Sequence, residues 1–138
     1  MKKILLFISI AILLYAAINH KFLVAISYLH DNDPGNDSKA VTLLQEAVED
    51  DHDTKSAFLL GYYYRSPRFH AIDLKRSHTY YLKAAQWGDD DAKMIVAWQF
   101  YKGIGCKKDI EMSKTFLTQL AIRGNEKAKE ILKFVMRQ

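Results

Sequence analysis

The chain has little of what breaks or cross-links a fold. A single cysteine, Cys106, leaves no partner for an internal disulfide, which excludes a cystine-rich scaffold. Only two prolines and six glycines occur in 138 residues, and strand-like alternation is scarce. With Ala, Leu and Lys common, the composition favours helix. No excess of one charge is present either. Lys and Arg number 20 against 16 Asp and Glu; setting aside Lys2 and Lys3 leaves 18 against 16. That balance does not supply the dense basic face that nucleic acid demands. G-x-S-x-G, P-loop and dinucleotide fingerprints are all missing. A body of about 120 residues buries roughly two-thirds of its unfolded surface, so it needs neither disulfide nor metal to fold.

The N-terminus reads as an address. Lys2-Lys3 precede an uncharged apolar run from Ile4 to Ile18. As a helix that run is about 22 Å long, short of a ~30 Å hydrocarbon core. A basic start and a short apolar stretch fit a secretory signal. Cleavage after Ala17 or Ala16, however, puts the large Tyr15 or Leu14 at the minus-three position. No cysteine follows the run, so lipoprotein processing is excluded. The alternative is an uncleaved anchor, helical from Ile4 to Leu29, with Asn19-His20-Lys21 near the outer interface. Either way the basic end stays in the cytoplasm and the remainder lies outside. The expected place is the periplasm, with the chain anchored in the inner membrane by residues 1–18 or soluble after cleavage.

The body repeats itself with a period of 36 residues. Ser56, Gly61, Tyr64, Asp73, Ser77 and Tyr81 recur as Ala92, Ala97, Phe100, Asp109, Ser113 and Leu117. Ala85 and Gly88 recur as Ala121 and Gly124, and Ala92 recurs as Ala128. A weaker earlier copy sets Ala25, Tyr28 and Asp37 before Gly61, Tyr64 and Asp73. This earlier copy makes Phe22 to Leu29 the first helix of the domain, so the membrane segment should end near Ile18. Each repeat reads as two helices. Gly61 and Tyr64, or Ala97 and Phe100, lie on one stripe of the first helix, the small residue admitting a neighbour and the aromatic filling the space beyond. Asp73 and Asp109 are placed to cap the second helix, and Gly88 and Gly124 to close it. The expected organisation is 1–18 as signal or anchor and 19–138 as one repeat domain. Its repeats cover about 20–53, 54–89 and 90–125, and 126–138 forms a solvated cap.

On these residues the chain resembles the Sel-one-like repeat family, the 36-residue relatives of tetratricopeptide repeats. The resemblance rests on SAFLLGYYY, DLKRSHTYYLKAAQWGDDDA and FYKGIGCKKDIEMSKTFLTQLAIRGNEKA and covers about Phe22 to Ala128. Leu60-Gly61 keeps the family's Leu-Gly, which becomes Val96-Ala97 one repeat later, and the G-x-G loop occurs only at Gly103 and Gly105. The resemblance implies an all-α, right-handed superhelix, a solenoid of about three helix-turn-helix repeats plus a C-terminal capping helix, that binds proteins or peptides. The family's cysteine-rich branch, for which enzymatic activity is suggested, has a disulfide in every repeat, and this chain lacks those cysteines.

No convincing catalytic or metal constellation emerges. His20, His30, His52, His70 and His78 have no metal-ligand spacing between them and read as surface or packing residues. Asp50, Asp51 and Asp53, like Asp89 to Asp91, fall where helices begin, where capping and the helix dipole explain them. Cys106 reads as an ordinary loop thiol. Arg65, Arg68, Lys75 and Arg76, with Lys102, Lys107 and Lys108, cluster around corresponding loops and read as a solvated edge, the alternative being a basic edge that faces lipid headgroups or an acidic partner. Exposed aromatics are the better binding clue. The off-stripe residues of the first helices, Phe58, Tyr62, Tyr63 and Arg65 with Met94, Trp98, Gln99 and Tyr101, are the candidate partner-binding residues, core packing of the aromatics being the competing reading. The expectation is a protein-binding module rather than an enzyme, with no cofactor, no metal and no nucleic acid. Within that reading the favoured partner is a toxic effector and the protein its immunity factor. A scaffold for a membrane or secretion assembly and an envelope hydrolase are the alternatives.

Overall fold

The computed structural model describes residues 2–30, 33–69 and 72–137. Among them all regular structure is helical: α1 (Lys2–His30), α2 (Pro34–Asp50), α3 (Thr54–Tyr63), a 3-10 turn (Pro67–Phe69), α4 (Leu74–Gln86), α5 (Asp90–Lys102), α6 (Ile110–Ile122) and α7 (Glu126–Val135). The chain divides into two compact units, Met1–Ser56 and Ala57–Gln138.

In the first unit α1 packs on α2. Ala25 and Leu29 are buried from α1, and Ala40, Leu44, Ala47 and Val48 from α2. α1 is one unbroken helix of 29 residues, about 43 Å long. It runs through Asn19-His20-Lys21, which interrupt the apolar run but not the helix. None of the three is a helix breaker, and Lys21 ties this part of α1 to the end of α2 through Asp50 at 2.9 Å and Asp51 at 3.6 Å. Further toward the N-terminus Ile8, Ile10, Ile12, Leu13 and Tyr15 are exposed. Among the described residues no helix is long and apolar enough to cross a membrane. Pro34 opens α2, where its missing N–H costs nothing, and Asp33 caps the helix by accepting from the Gly35 N–H.

The second unit repeats one joint. Asp73, Asp89, Asp109 and Asn125 each accept a hydrogen bond from the backbone N–H three residues on, which satisfies an orphan donor of the helix that follows. Asp89 and Asn125 also end the preceding helices. Their own N–H groups bond the carbonyls of Ala84 and Leu120 at 3.0 and 3.1 Å, while Gly88 and Gly124 take the left-handed conformation, φ 103° and 90°. That is the Schellman closure. A Gly followed by Asp or Asn therefore stops one helix and starts the next within two residues.

Packing between helices is also periodic, with one substitution that matters below. In α3 and α4 a Cβ on Gly61 would stand 2.7–2.8 Å from three ring carbons of Tyr81, so the ring lies directly on the glycine. Phe58 meets the same ring edge-on, centroids 5.2 Å apart, and the Ser77 hydroxyl donates to the Gly61 carbonyl at 2.7 Å. One repeat later the corresponding residues are Met94, Ala97, Ser113 and Leu117. Two rings have become two aliphatic chains, and the glycine has gained a methyl. α4 meets α5 through buried His78, whose Nδ1 lies 2.9 Å from Gln99 Oε1 and whose ring abuts Phe100 edge-on. α5 meets α6 through stacked Phe100 and Phe116, and α7 seals α6 with Ala128 and Val135.

Candidate cavity on the third repeat

Within the second unit α5, α6 and α7 enclose a cavity of about 510 Å³, open to solvent, with Arg65 and Leu74 at its edge. Its lining includes the buried Ala97, Ser113 and Leu117 and, beside them, Met94, Ile95, Trp98, Ile131 and Val135. That size and this predominance of apolar side chains match ligand and side-chain pockets, which run about 300–1,000 Å³. Met94 and Leu117, the residues that replace the two rings, both line the cavity. Where Phe58 and Tyr81 fill the second repeat, Met94 and Leu117 occupy less of the third.

The polar groups are few. The Ser113 hydroxyl is buried, on a residue 1 % exposed, and has no hydrogen-bond partner. Its counterpart Ser77 is fully bonded. An unpaired buried hydroxyl costs free energy unless something supplies a partner. Arg65 and Lys127 bring positive charge to the lining, and no Asp or Glu joins them there.

Next to the opening lies an exposed aromatic surface. Trp98 is 49 % exposed and Phe134 52 %. Tyr101 joins them, with its ring 5.6 Å from Trp98 and 6.2 Å from Phe134. Lys102 sits over both Trp98 and Tyr101 at 4.9 and 5.1 Å, and Lys108 over Tyr101 at 5.7 Å. Those cation–π contacts hold the lysines close to the rings, so the aromatic surface and the positive charge coincide.

Of the residues singled out from the sequence, Arg65, Met94, Trp98, Gln99 and Tyr101 line this cavity. Gln99 does so from a buried position, spent on His78. The other three stand elsewhere. Tyr63 is buried and stacked on Phe69, Phe58 is spent on Tyr81, and Tyr62 is exposed beside Phe69. The reason is local: the rings of Phe58 and Tyr63 are committed to Tyr81 and Phe69. Sequence reasoning missed Ser113, Leu117, Lys127, Ile131 and Phe134 as members of the site. Aligning the repeats does flag Leu117, which stands where Tyr81 stood, just as Met94 stands for Phe58.

Asp50 and Asp51 end α2 instead of beginning a helix, and both pair with Lys21. Asp53 accepts from the Ser56 N–H at 2.9 Å, and Asp90 pairs with Lys93 and Arg123. No group of three or more His, Cys, Asp or Glu able to hold a metal occurs among the described residues; His70 lies outside them. Burial, with the Asp109 charge adding to it, pushes the Cys106 thiol above its ordinary range, and the thiol lies 3.6 Å from the Gln99 carbonyl oxygen. That is the opposite of an activated thiolate.

No protein-family profile matches the chain, and no curated protein matches it. Among solved structures it is similar to a Sel1 repeat protein from Oxalobacter formigenes, with a TM-score of 0.70 and 30 % identity over 84 % of this chain and 87 % of that one. It is also similar to a protective antigen of uropathogenic Escherichia coli strains that displays an SLR fold, with a TM-score of 0.64 and 28 % identity over 70 % of this chain. The second match spans 20 % of that protein's length. The all-α repeat architecture expected from the sequence is the fold of both.

Proposed function

As the chain belongs to the Sel1 repeat family, whose fold is a protein-interaction scaffold, we propose that the third-repeat cavity and the aromatic surface beside it hold one protein partner. The observation that carries this reading is the coincidence of exposed Trp98, Tyr101 and Phe134 with an open apolar cavity. Aromatic side chains beside a pocket are the typical composition of a binding hot spot.

The finer reading follows from the N-terminus. A basic start before an uncharged run supports export, so the proposed place of action is the periplasm, with the protein tethered at the inner membrane by its first residues or released after processing. A small exported repeat protein with one compact docking site suits an inhibitor, and we take the partner to be a toxic effector that the protein neutralises as its immunity factor. A scaffold role in a membrane or secretion assembly would instead require several simultaneous partners.

Photo-crosslinking tests the reading. A benzoylphenylalanine at position 98 should give one discrete adduct in cells. The same group at position 122, where Ile122 is 82 % exposed on the end of α6, should give none. Equal labelling at both positions, or none at 98, would overturn it.

A further inference from the structure

We infer that the third-repeat cavity accepts a single aromatic side chain, tyrosine by preference, carried on an acidic segment of the partner. This inference rests on the protein-binding reading and specifies the chemistry of what is bound. Three observations converge on it.

The first is the comparison of repeats. The second repeat is closed by its own ring, Tyr81, which lies on Gly61 and meets Phe58 edge-on at 5.2 Å. The third repeat has the same helices and the same serine, but Met94 and Leu117 in place of the rings, and a cavity lined by both. Its missing component is an aromatic group, which edge-to-face contacts with neighbouring side chains would favour. The second is Ser113. The residue lines the cavity and its hydroxyl is buried without a partner, so a guest with a polar tip that displaces the side chains covering this hydroxyl gains a hydrogen bond that a purely apolar guest does not. The third is charge. Arg65 and Lys127 line the cavity without an acidic residue among the lining, and Lys102 and Lys108 cover the rings beside it. Acidic residues flanking the inserted ring would meet positive charge on each side, which speeds encounter and selects against basic segments.

The test uses the full chain in lipid nanodiscs and fluorescein-labelled nonapeptides with a central tyrosine among glutamates. Anisotropy should report saturable binding. Replacing the tyrosine with alanine should weaken it about tenfold or more, and replacing the glutamates with lysines should abolish it. Arg65→Gln with Lys127→Gln should weaken it and flatten its salt dependence. The decisive variant is Met94→Phe/Ala97→Gly/Leu117→Tyr, which copies the second repeat into the third. It should keep or raise the melting temperature while losing peptide binding, because the protein then supplies the ring itself. Undiminished binding by this folded variant would overturn the inference, as would indifference to the charge of the flanks. So would saturation of the cavity by sodium decanoate when no peptide binds. A crosslinked partner at position 98 that persists in the triple variant would sink this inference and leave the protein-binding reading standing. Loss of all labelling at position 98 in the unaltered protein would instead sink that reading.

Discussion

Gly61→Ala is the sharpest perturbation of the stack, because two effects of opposite sign meet at one atom. In the interior of α3, alanine gains about 1 kcal/mol over glycine from helix propensity. Against that, the new Cβ would stand 2.7–2.8 Å from Cγ, Cδ1 and Cδ2 of Tyr81. These atoms are the root of the ring, not its free end, and Tyr81 is 1 % exposed, with Phe58 against its other side. The ring cannot swing clear, so the helices must separate. Overpacking of that kind costs about 1–3 kcal/mol. Separation also stretches the 2.7 Å bond from Ser77 to the Gly61 carbonyl, worth about 1 kcal/mol. The balance is a net loss of about 2 kcal/mol, or about 10 °C in melting temperature for a unit of this size. Circular dichroism at 222 nm during heating and urea titration measures it. Adding Tyr81→Leu, which reproduces the third-repeat pairing of Ala97 with Leu117, should restore part of the loss, with a coupling energy of at least about 1 kcal/mol. A Gly61→Ala protein as stable as the parent, or a double variant showing no coupling, would refute the claim that ring and glycine are fitted to each other.

Gly105→Ala should be more severe than Gly103→Ala, although both glycines have φ of 72°. A Cβ on Gly105 would lie 2.0 Å from the Leu74 carbonyl oxygen, against 3.3 Å to the nearest atom for Gly103. The expected losses in urea unfolding are roughly 3 kcal/mol or more and about 1 kcal/mol respectively, and equal losses would mean that backbone strain alone decides. Stability should fall in alkali. Burial pushes the Tyr81 phenol upward, against the pull of the Arg65 guanidinium, so above an unfolded value of about 10 the unfolded state releases its proton first. That contribution is whole below pH 10 and is lost as the pH rises through the folded value. Tyr81→Phe should flatten the urea midpoint between pH 9 and 11, and an unaltered slope would assign the alkaline loss to other groups. Deleting residues 2–18 should leave the melting temperature within about 2 °C. Ala25, Leu29 and the Lys21 pairs all lie beyond the cut, and the described apolar side chains within it are exposed. A large drop would show that the N-terminal half of α1 stabilises the fold.

What could be read in the sequence and what could not divide along a physical line. Helix ends depend on one or two residues in contact along the chain, so Asp73, Asp109, Gly88 and Gly124 announce themselves and fall where their chemistry requires. The period survives because each joint must return the chain to the same geometry, and that fixes Gly61, Ala97, Ser77 and Ser113 in register. α1 shows the limit of such local reading. Asn, His and Lys look like an interruption in an apolar run, yet none opposes helix, and the ion pair that holds this part of α1 comes from Asp50, 29 residues away. The cavity lies beyond that limit for another reason. It is made by a difference between repeats, and a search for a period looks for sameness. Met94 and Leu117 each pass as conservative packing residues, and only when set against Phe58 and Tyr81 do they amount to two missing rings. Even then the sequence does not say whether a neighbour fills the space. α7 could have closed it with one bulky side chain; instead it offers Ile131, Val135 and Lys127 and leaves the Ser113 hydroxyl unanswered. In a repeat protein the positions that break the pattern between repeats are therefore the first to inspect for a site, because the conserved pattern is already committed to holding the stack together.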